Sequence, residues 1–484
     1  MDKKVLLYFF LSFCLLHISC AQNQATGENQ LVLLDAKEEL DIGSKEHPKI
    51  LKAFGGSYGS DKLKSYVSSL GNKLKNVTNQ DNLKWTFTIL DSPVVNAFAL
   101  PGGYIYISRG LLTLVNDEAE LASVLGHEIA HVIARHTAQR HAKATLTNIG
   151  LNILDIVLGQ PIVSKVASIG ASGVLASFSR SEEIEADVLG KKYSINAGYD
   201  EKASYRFLSR LRQLSQITSD KNKDYINSIF ATHPKTKDRM ENVKNSTNKN
   251  KNLLVTNRNE YLAMINNITY GESSKNGIVI NNKFFHIPLN ISFFVPKSFK
   301  IENKDNSVIA RSHNNESILI FDGLINELDL NLLEIVEAEL GRSRTELKQN
   351  LNIYNRPAIL VKDKKAIVFE KRQYERDVIL IKWFDSRIWR FNILTDNNAD
   401  KNYYDELYKE VINFHQLTEE EHLLAQPKKI KIYVTNKGES ILNLSEMMSV
   451  NDKKLEWFKI INGLDNEVTK NYEYDPGSLV KIIK

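Results

Sequence analysis

The sequence predicts a multidomain α+β protein with a mainly α-helical first domain that carries a small sheet. An α+β domain with an antiparallel sheet follows, then a short terminal unit. Three observations lead there. Apolar residues recur at helical spacing through Glu38–Leu51, Leu63–Leu74 and Asp117–Arg135. Between residues 284 and 393 the pattern changes to short β-branched and aromatic runs. Near the end of the chain, Asn462-Gly463 and Pro476-Gly477 supply turn signals between short apolar segments.

In chain order, Lys3-Lys4 precede a short apolar run, Val5–Leu16, too short to span a bilayer. Residues 1–20 read as a secretory signal, which implies the periplasm. Two cleavage readings stand. Leu16-His-Ile-Ser-Cys20 resembles a loose lipobox, making Cys20 a lipid anchor, and Ser19-Cys-Ala21 is a small-x-small site for ordinary signal peptidase. Either removes Cys14, leaving too few cysteines for a disulfide or a thiolate metal site. Trp85–Ile89 alternates like a half-buried strand. Residues 146–178 are apolar but broken by Asp155, Gln160, Pro161 and Lys165, and read as helices packed over a cleft. The first domain is expected over 30–243, a polar linker over 244–252, the second domain over 253–425 and the last unit over 429–484.

Within 253–425, strands are expected at Phe284–Ile287, Ser292–Val295, Ser317–Phe321, Ala358–Val361, Ala366–Glu370, Val378–Trp383 and Trp389–Ile393. Helices are expected at Asn331–Leu340 and Tyr403–Phe414. Trp383, Phe384, Trp389 and Phe391 read as sheet packing. Lys and Arg number 63 against 58 Asp and Glu, a formal net charge of +5 with no concentrated basic stripe, so nothing points to nucleic acid.

The chemistry-bearing signal is His127-Glu-Ile-Ala-His131. On a helix, His127 and His131 project from one face about one turn apart and can grip one zinc ion. Glu128 can take a proton from water at that ion. Leu121, Val124, Leu125, Ile129 and Val132 keep helical spacing, and Asn116 or Asp117 can cap the start. A catalytic zinc takes three protein ligands. Downstream, Glu183 and Asp187 lie four apart, with Ala186 and Gly190 on the same side, so that face can approach the first helix closely. Glu183 is the candidate third ligand, and Asp187 can accept a hydrogen bond from a ligand imidazole. Glu182 and Glu185 are rivals to Glu183, but neither has an acidic residue four positions on.

HExxH followed by ExxxD resembles the HtpX/BepA-type zinc metallopeptidases, gluzincin relatives of the CAAX prenyl endopeptidase, in their soluble periplasmic branch. Asn96–Leu112, Glu120–His131, Arg135-His136, Thr232-His233-Pro234 and Arg239 also fit. The resemblance covers about residues 35–245 and implies peptide-bond hydrolysis with one Zn2+. Glu128 would be the general base, and Asn96, Ala97, Phe98, Ala99 and Leu100 an edge strand pairing with extended substrate. His233 would either reach the metal and hold the enzyme latent, or be a loop histidine that helps packing. His136 and His141 read as structural or solvated.

Residues 429–484 resemble a degenerate LysM-like module, through Val434–Ser440, Leu442–Met448, Phe458–Leu464 and Asp475–Ile482. The resemblance implies a βααβ order, with either peptidoglycan binding or a structural, protein-docking use. Together these readings lead to a zinc metalloendopeptidase acting on unfolded or misfolded envelope proteins, with peptidoglycan or the outer-membrane assembly machinery as possible partners. The competing class is a chaperone or adaptor that binds unfolded envelope proteins or cell wall with its metal capped.

Overall fold

The fold is that of a computed structural model, which describes residues 20–22, 27, 29–31, 34–78, 83–140, 178–217, 229, 233, 237–245 and 255–484, the last without 305, 385, 397–398 and 400. Residues 1–19, most of 146–178, Thr232, Pro234 and 246–252 carry expectations that lie outside the described residues. The described chain forms two compact units, Met1–Gly271 with Lys428–Lys484, and Glu272–Pro427. No helix among the described residues is long and apolar enough to cross a membrane.

In the first unit, strands β1 (Cys20–Gln22) and β2 (Asn29–Leu31) pair antiparallel. Helix α1 (Ala36–Ala53) starts with a capping box between Asp35 and Glu38. Helix α2 (Asp61–Asn76) is capped by Ser60 and buries Leu63, Val67, Leu70 and Leu74, a spacing of three and four. A three-stranded sheet follows, of β3 (Thr86–Leu90), β4 (Ala97–Leu100) and β5 (Tyr104–Ser108). Its order is β3-β5-β4, parallel in the first pair and antiparallel in the second, so β4 is an edge strand. Gly102 (φ 80°) and Gly103 (φ 88°) make the turn between β4 and β5. A Cβ on Gly102 would lie 2.7 Å from the Leu40 Cα, so the close approach of α1 also requires glycine.

Helix α3 (Arg109–Leu114) leads into α4 (Glu118–Ile133), which carries the HExxH motif. Asp117 caps α4 by accepting from the Glu120 amide. Nearly all of α4 is buried, so neighbours surround it rather than a single core face. Helix α5 (Arg180–Asn196) packs along α4 and is followed by α6 (Ala203–Ile217), α7 (Lys237–Asn245) and α8 (Arg258–Ile265). Helix α7 continues through Asn245, two residues into the expected linker. Strand β6 (Thr269–Tyr270) ends this part of the unit.

The second unit, described by itself, opens with β7 (Ile278–Ile280), β8 (Lys283–His286) and β9 (Ile291–Phe294), paired in that order. Next come β10 (Lys300–Asn303), β11 (Val308–Arg311), β12 (Ser317–Ile325) and α9 (Leu332–Leu340). They are followed by β13 (Thr345–Ile353), β14 (Arg356–Phe369), β15 (Arg372–Lys382) and β16 (Arg387–Thr395). Helices α10 (Lys401–Ile412) and α11 (Glu419–Leu424) close it. The seven-stranded antiparallel sheet has the order β10-β11-β12-β16-β15-β14-β13. Its faces follow strand periodicity: Leu360, Ile379 and Ile381 pack toward α10, whereas Ile359, Val361, Val378 and Leu380 pack toward α9. The two runs expected at 358–361 and 366–370 are one strand, interrupted by an irregularity between Asp363 and Ile367. Trp383, Trp389 and Phe391 are buried in the sheet's core, but Phe384 is exposed under the Arg356 guanidinium, which lies 3.7 Å from its ring centre.

Residues 428–484 run β17 (Lys428–Val434), α12 (Ile441–Glu446), α13 (Lys454–Asn462) and β18 (Leu479–Ile483), a βααβ order with β17 and β18 antiparallel. They do not stand apart, as the expected boundaries at 253–425 and 429–484 would have it. Tyr261, Leu262 and Ile265 of α8 and Ile430, Ile441, Leu444, Phe458 and Ile482 of the tail share one core with α2, α4 and α6. Strand β17 also pairs with β6, and the Lys481 ammonium is fully buried. It donates to the carbonyls of Thr113 and Val115 at 2.9 and 2.7 Å, at the C-terminal end of α3. Lys481→Met should lower stability by about 1–3 kcal/mol, because those carbonyls stay buried and lose their donor. Urea unfolding of the full chain measures it, and unchanged stability would show that Lys481 does not fasten the tail.

Candidate metal centre

Helices α4 and α5 cross where both have glycine. A Cβ on Gly190 would lie 2.6 Å from the His127 amide nitrogen, and one on Gly126 would lie 2.8 Å from the Gly190 carbonyl oxygen. This close approach brings Glu183 and Asp187 of α5 against His127 and His131 of α4.

His127, His131, Glu183 and His233 offer four ligand atoms, all within 4.8 Å of one another; His131, Glu183 and His233 are buried, and His127 keeps slight exposure. His127 Nε2 is 3.0 Å from His131 Nε2 and 3.3 Å from His233 Nδ1. Glu183 Oε1 is 2.8 Å from His233 Nδ1 and 3.4 Å from His131 Nε2. Ligands about 2.0–2.1 Å from a tetrahedral zinc lie roughly 3.3 Å apart, so the donor set and its spacing fit that ion. Zinc ligation was expected of the first three residues. His233, weighed as a cap or a packing residue, has its Nδ1 within the same set of atoms.

The rival carboxylates are occupied elsewhere. Glu182 accepts from the Ser179 amide in the capping box of α5, and Glu185 Oε2 faces His136 Nε2 at 3.3 Å. Asp187 Oδ1 lies 3.0 Å from His127 Nδ1, on the far side of the ring from the ligand atoms. Arg239 of α7 binds Asp187 in a two-pronged pair at 2.6 and 2.8 Å and reaches Glu183 Oε2 at 2.6 Å. Phe178 stacks on His131 with ring centres 3.9 Å apart. Arg239 fits the motif pattern in the sequence with no role attached to it, and no sequence pattern singles out Phe178. Only the tertiary fold brings them in.

Burial opposes ionisation of Glu183, but the charges of His233 and Arg239 and hydrogen bonds from His131 and His233 outweigh it. They hold its carboxyl well below the usual range. Burial likewise works against charge on Asp187, and Arg239 overcomes it, so its carboxyl is also lowered. Burial holds the His131 imidazole well below its ordinary value, which suits a neutral ligand. His233 is raised, because Glu183 and Glu128 outweigh the effect of burial. Glu128 is raised by burial, against the charges of His233 and His127. Its Oε1 lies 3.6 Å from His233 Nε2, and its Oε2 is buried without a hydrogen-bond partner among the described residues.

The site opens on a cleft of about 500 Å3. His127, Glu128 and His233 form its polar end, and Val124, Phe207, Leu208, Leu211 and Met240 supply apolar wall. Ala97 of the edge strand also lines it. Phe98 and Leu100 turn the other way, toward Ile50 and Tyr106.

Two histidines on one helix, a carboxylate on a second and a buried glutamate beside them define a zinc-metallopeptidase type of site. Residues 61–247 match the model of Peptidase family M48. It is 34% identical over 160 residues to the "Mitochondrial metalloendopeptidase OMA1" of Arabidopsis thaliana, covering 33% of this chain and 31% of that protein. It is 31% identical over 211 residues to the "Beta-barrel assembly-enhancing protease" of Yersinia pestis, covering 41% and 42%. The Escherichia coli (strain K12) protein of the same name is 29% identical over 224 residues, covering 44% and 45%. The chain therefore spans less than half the length of these relatives.

Gly190→Ala should cost about 1–3 kcal/mol, because its Cβ meets backbone that cannot rotate away. It should also reduce bound zinc by shifting Glu183 and Asp187 from His127. Unfolding of the metal-free protein and zinc content measure the two effects, and a variant unchanged in both would contradict the crossing as drawn.

Proposed function

We propose that this chain is a zinc-dependent metalloendopeptidase acting on unfolded or misfolded proteins of the cell envelope. The observation that carries the reading is a four-atom ligand shell with Glu128 beside it, at the polar end of an apolar cleft. His127, His131 and Glu183 would hold the ion, and Asp187 would orient His127. A zinc ion there supplies Lewis acidity toward the scissile carbonyl and toward water. Glu128 takes the water's proton and later delivers it to the leaving amine, and its raised pKa suits both tasks. An extended substrate would add to the outer edge of β4, with backbone hydrogen bonds giving affinity and the apolar wall giving loose side-chain preference. That mode suits chains that have lost their fold. The names of the Yersinia and Escherichia relatives support substrates met during β-barrel assembly. Periplasmic location, with or without a lipid at Cys20, rests on the signal-like start of the chain, and a wall-binding role for 429–484 rests on the motif resemblance alone.

Glu128→Gln should retain zinc but lower casein hydrolysis by about 100-fold or more. Chelation should abolish hydrolysis and zinc should restore it. Hydrolysis by Glu128→Gln at the parent rate would refute the peptidase reading.

A second reading is favoured by one observation, the place of His233 Nδ1 within the ligand shell. There the protein is a chaperone or adaptor whose metal stays capped. If His233 is instead a removable cap, His233→Ala should raise hydrolysis by about tenfold, as the competent fraction grows. An inactive His233→Ala, with full biological function in Glu128→Gln, would favour the adaptor.

A further inference from the structure

His127 and His131 are supported differently. Asp187 meets His127 Nδ1 directly, but among the described residues no carboxylate meets His131 Nδ1. That atom lies 2.8 Å from Nδ1 of His136, a residue with no solvent exposure. His136 Nε2 in turn lies 3.3 Å from Glu185 Oε2. We propose that His136 and Glu185 are positioning residues that fix the ring and tautomer of His131. The inference rests on the zinc-centre reading above and extends it beyond the ligands.

The tautomers follow from one requirement. If His131 Nε2 presents its lone pair to the ion, its proton is on Nδ1. His136 Nδ1 must then accept that hydrogen, so the proton of His136 is on Nε2. Nε2–H has an acceptor in the Glu185 carboxylate. Reversing the chain would put a hydrogen on His131 Nε2, 3.0 Å from His127 Nε2 and inside the ligand shell. Glu185 selects the productive direction because a carboxylate only accepts.

The backbone is built for this contact. In an uninterrupted helix, residue 136 would sit about 140° around the axis from residue 131. The helix instead stops at Ile133, Arg135 takes a left-handed conformation (φ 56°), and helical turns resume at His136. A non-glycine residue held there needs support from its surroundings. Arg135 has it: its Nε donates to Glu39 Oε1 at 2.8 Å and its Nη2 to the Leu34 carbonyl at 2.6 Å. Helix α5 thus supplies one carboxylate to each motif histidine, Asp187 directly and Glu185 through His136.

The test is zinc affinity of the full chain, stripped of metal and titrated with zinc against a chromophoric chelator. His136→Leu should raise the zinc Kd by about tenfold or more. His136→Asn should stay near the parent, because its Oδ1 can stand where Nδ1 accepts. Glu185→Ala should weaken zinc, and Glu185→Gln, whose amide can still accept from His136 Nε2 but can also donate, should weaken it less; this part-exposed position tests the idea if His136→Leu fails to fold. A packing role alone would make the leucine and asparagine variants fall together, which would overturn the proposal. So would parent-like zinc affinity in Glu185→Ala and His136→Leu while His131→Ala loses zinc. A parent protein that binds zinc no better than His131→Ala would instead overturn the metal centre, and this inference with it.

Discussion

The backbone contact between Gly126 and Gly190 is the constraint on which the rest of the site depends. The ligands come from two helices, and their spacing follows from how closely those helices pass. Side chains at the crossing would hold the axes apart and carry Glu183 and Asp187 away from the histidines. The contact also concentrates charge. Glu128, Glu183 and Asp187 are all buried, and isolated carboxylates there would be costly. Arg239 and His233 answer that charge from outside the two helices, so the segments after α6 complete the centre electrostatically.

The support extends away from the ion. At the start of α4, Glu120 is fully buried and receives Arg210 and the Asn116 amide, and Asp117 receives Arg206. Helix α13 of the tail ends at Gly463, whose Cβ would lie 2.7 Å from Arg210 Nη2 and 3.2 Å from Asn116 Cγ. The tail therefore presses on the groups that anchor the motif helix. Its βααβ order alone would suit an independent module, but its apolar faces are shared with the first unit's core. The structural use of this segment is accordingly to complete that core.

The legible parts of the sequence were those with local physics. The cap at Asp117, the apolar period of α4 and the small-residue face of α5 are all written within a few turns of chain. Strands β15 and β16 were legible from their apolar and aromatic runs. Strand β13 was not: Thr345–Ile353 is an edge strand, mostly polar and exposed, without the alternation that marks a half-buried strand. The role of Arg239 is not legible locally, because its partners lie 52 residues or more away in sequence. The reading of His136 as structural or solvated misses its contact with His131, which an uninterrupted helix would not make and which the left-handed Arg135 creates. The boundary of the second domain was misplaced by α8, whose apolar face looks the same whichever core receives it.

The most direct test of the account is the position of zinc in crystals of the full chain, located by anomalous scattering at the zinc edge. The account predicts one peak per chain, about 2.0–2.2 Å from His127 Nε2, His131 Nε2 and a Glu183 carboxylate oxygen. A peak ligated by other residues, or no peak from protein loaded with zinc, would contradict it.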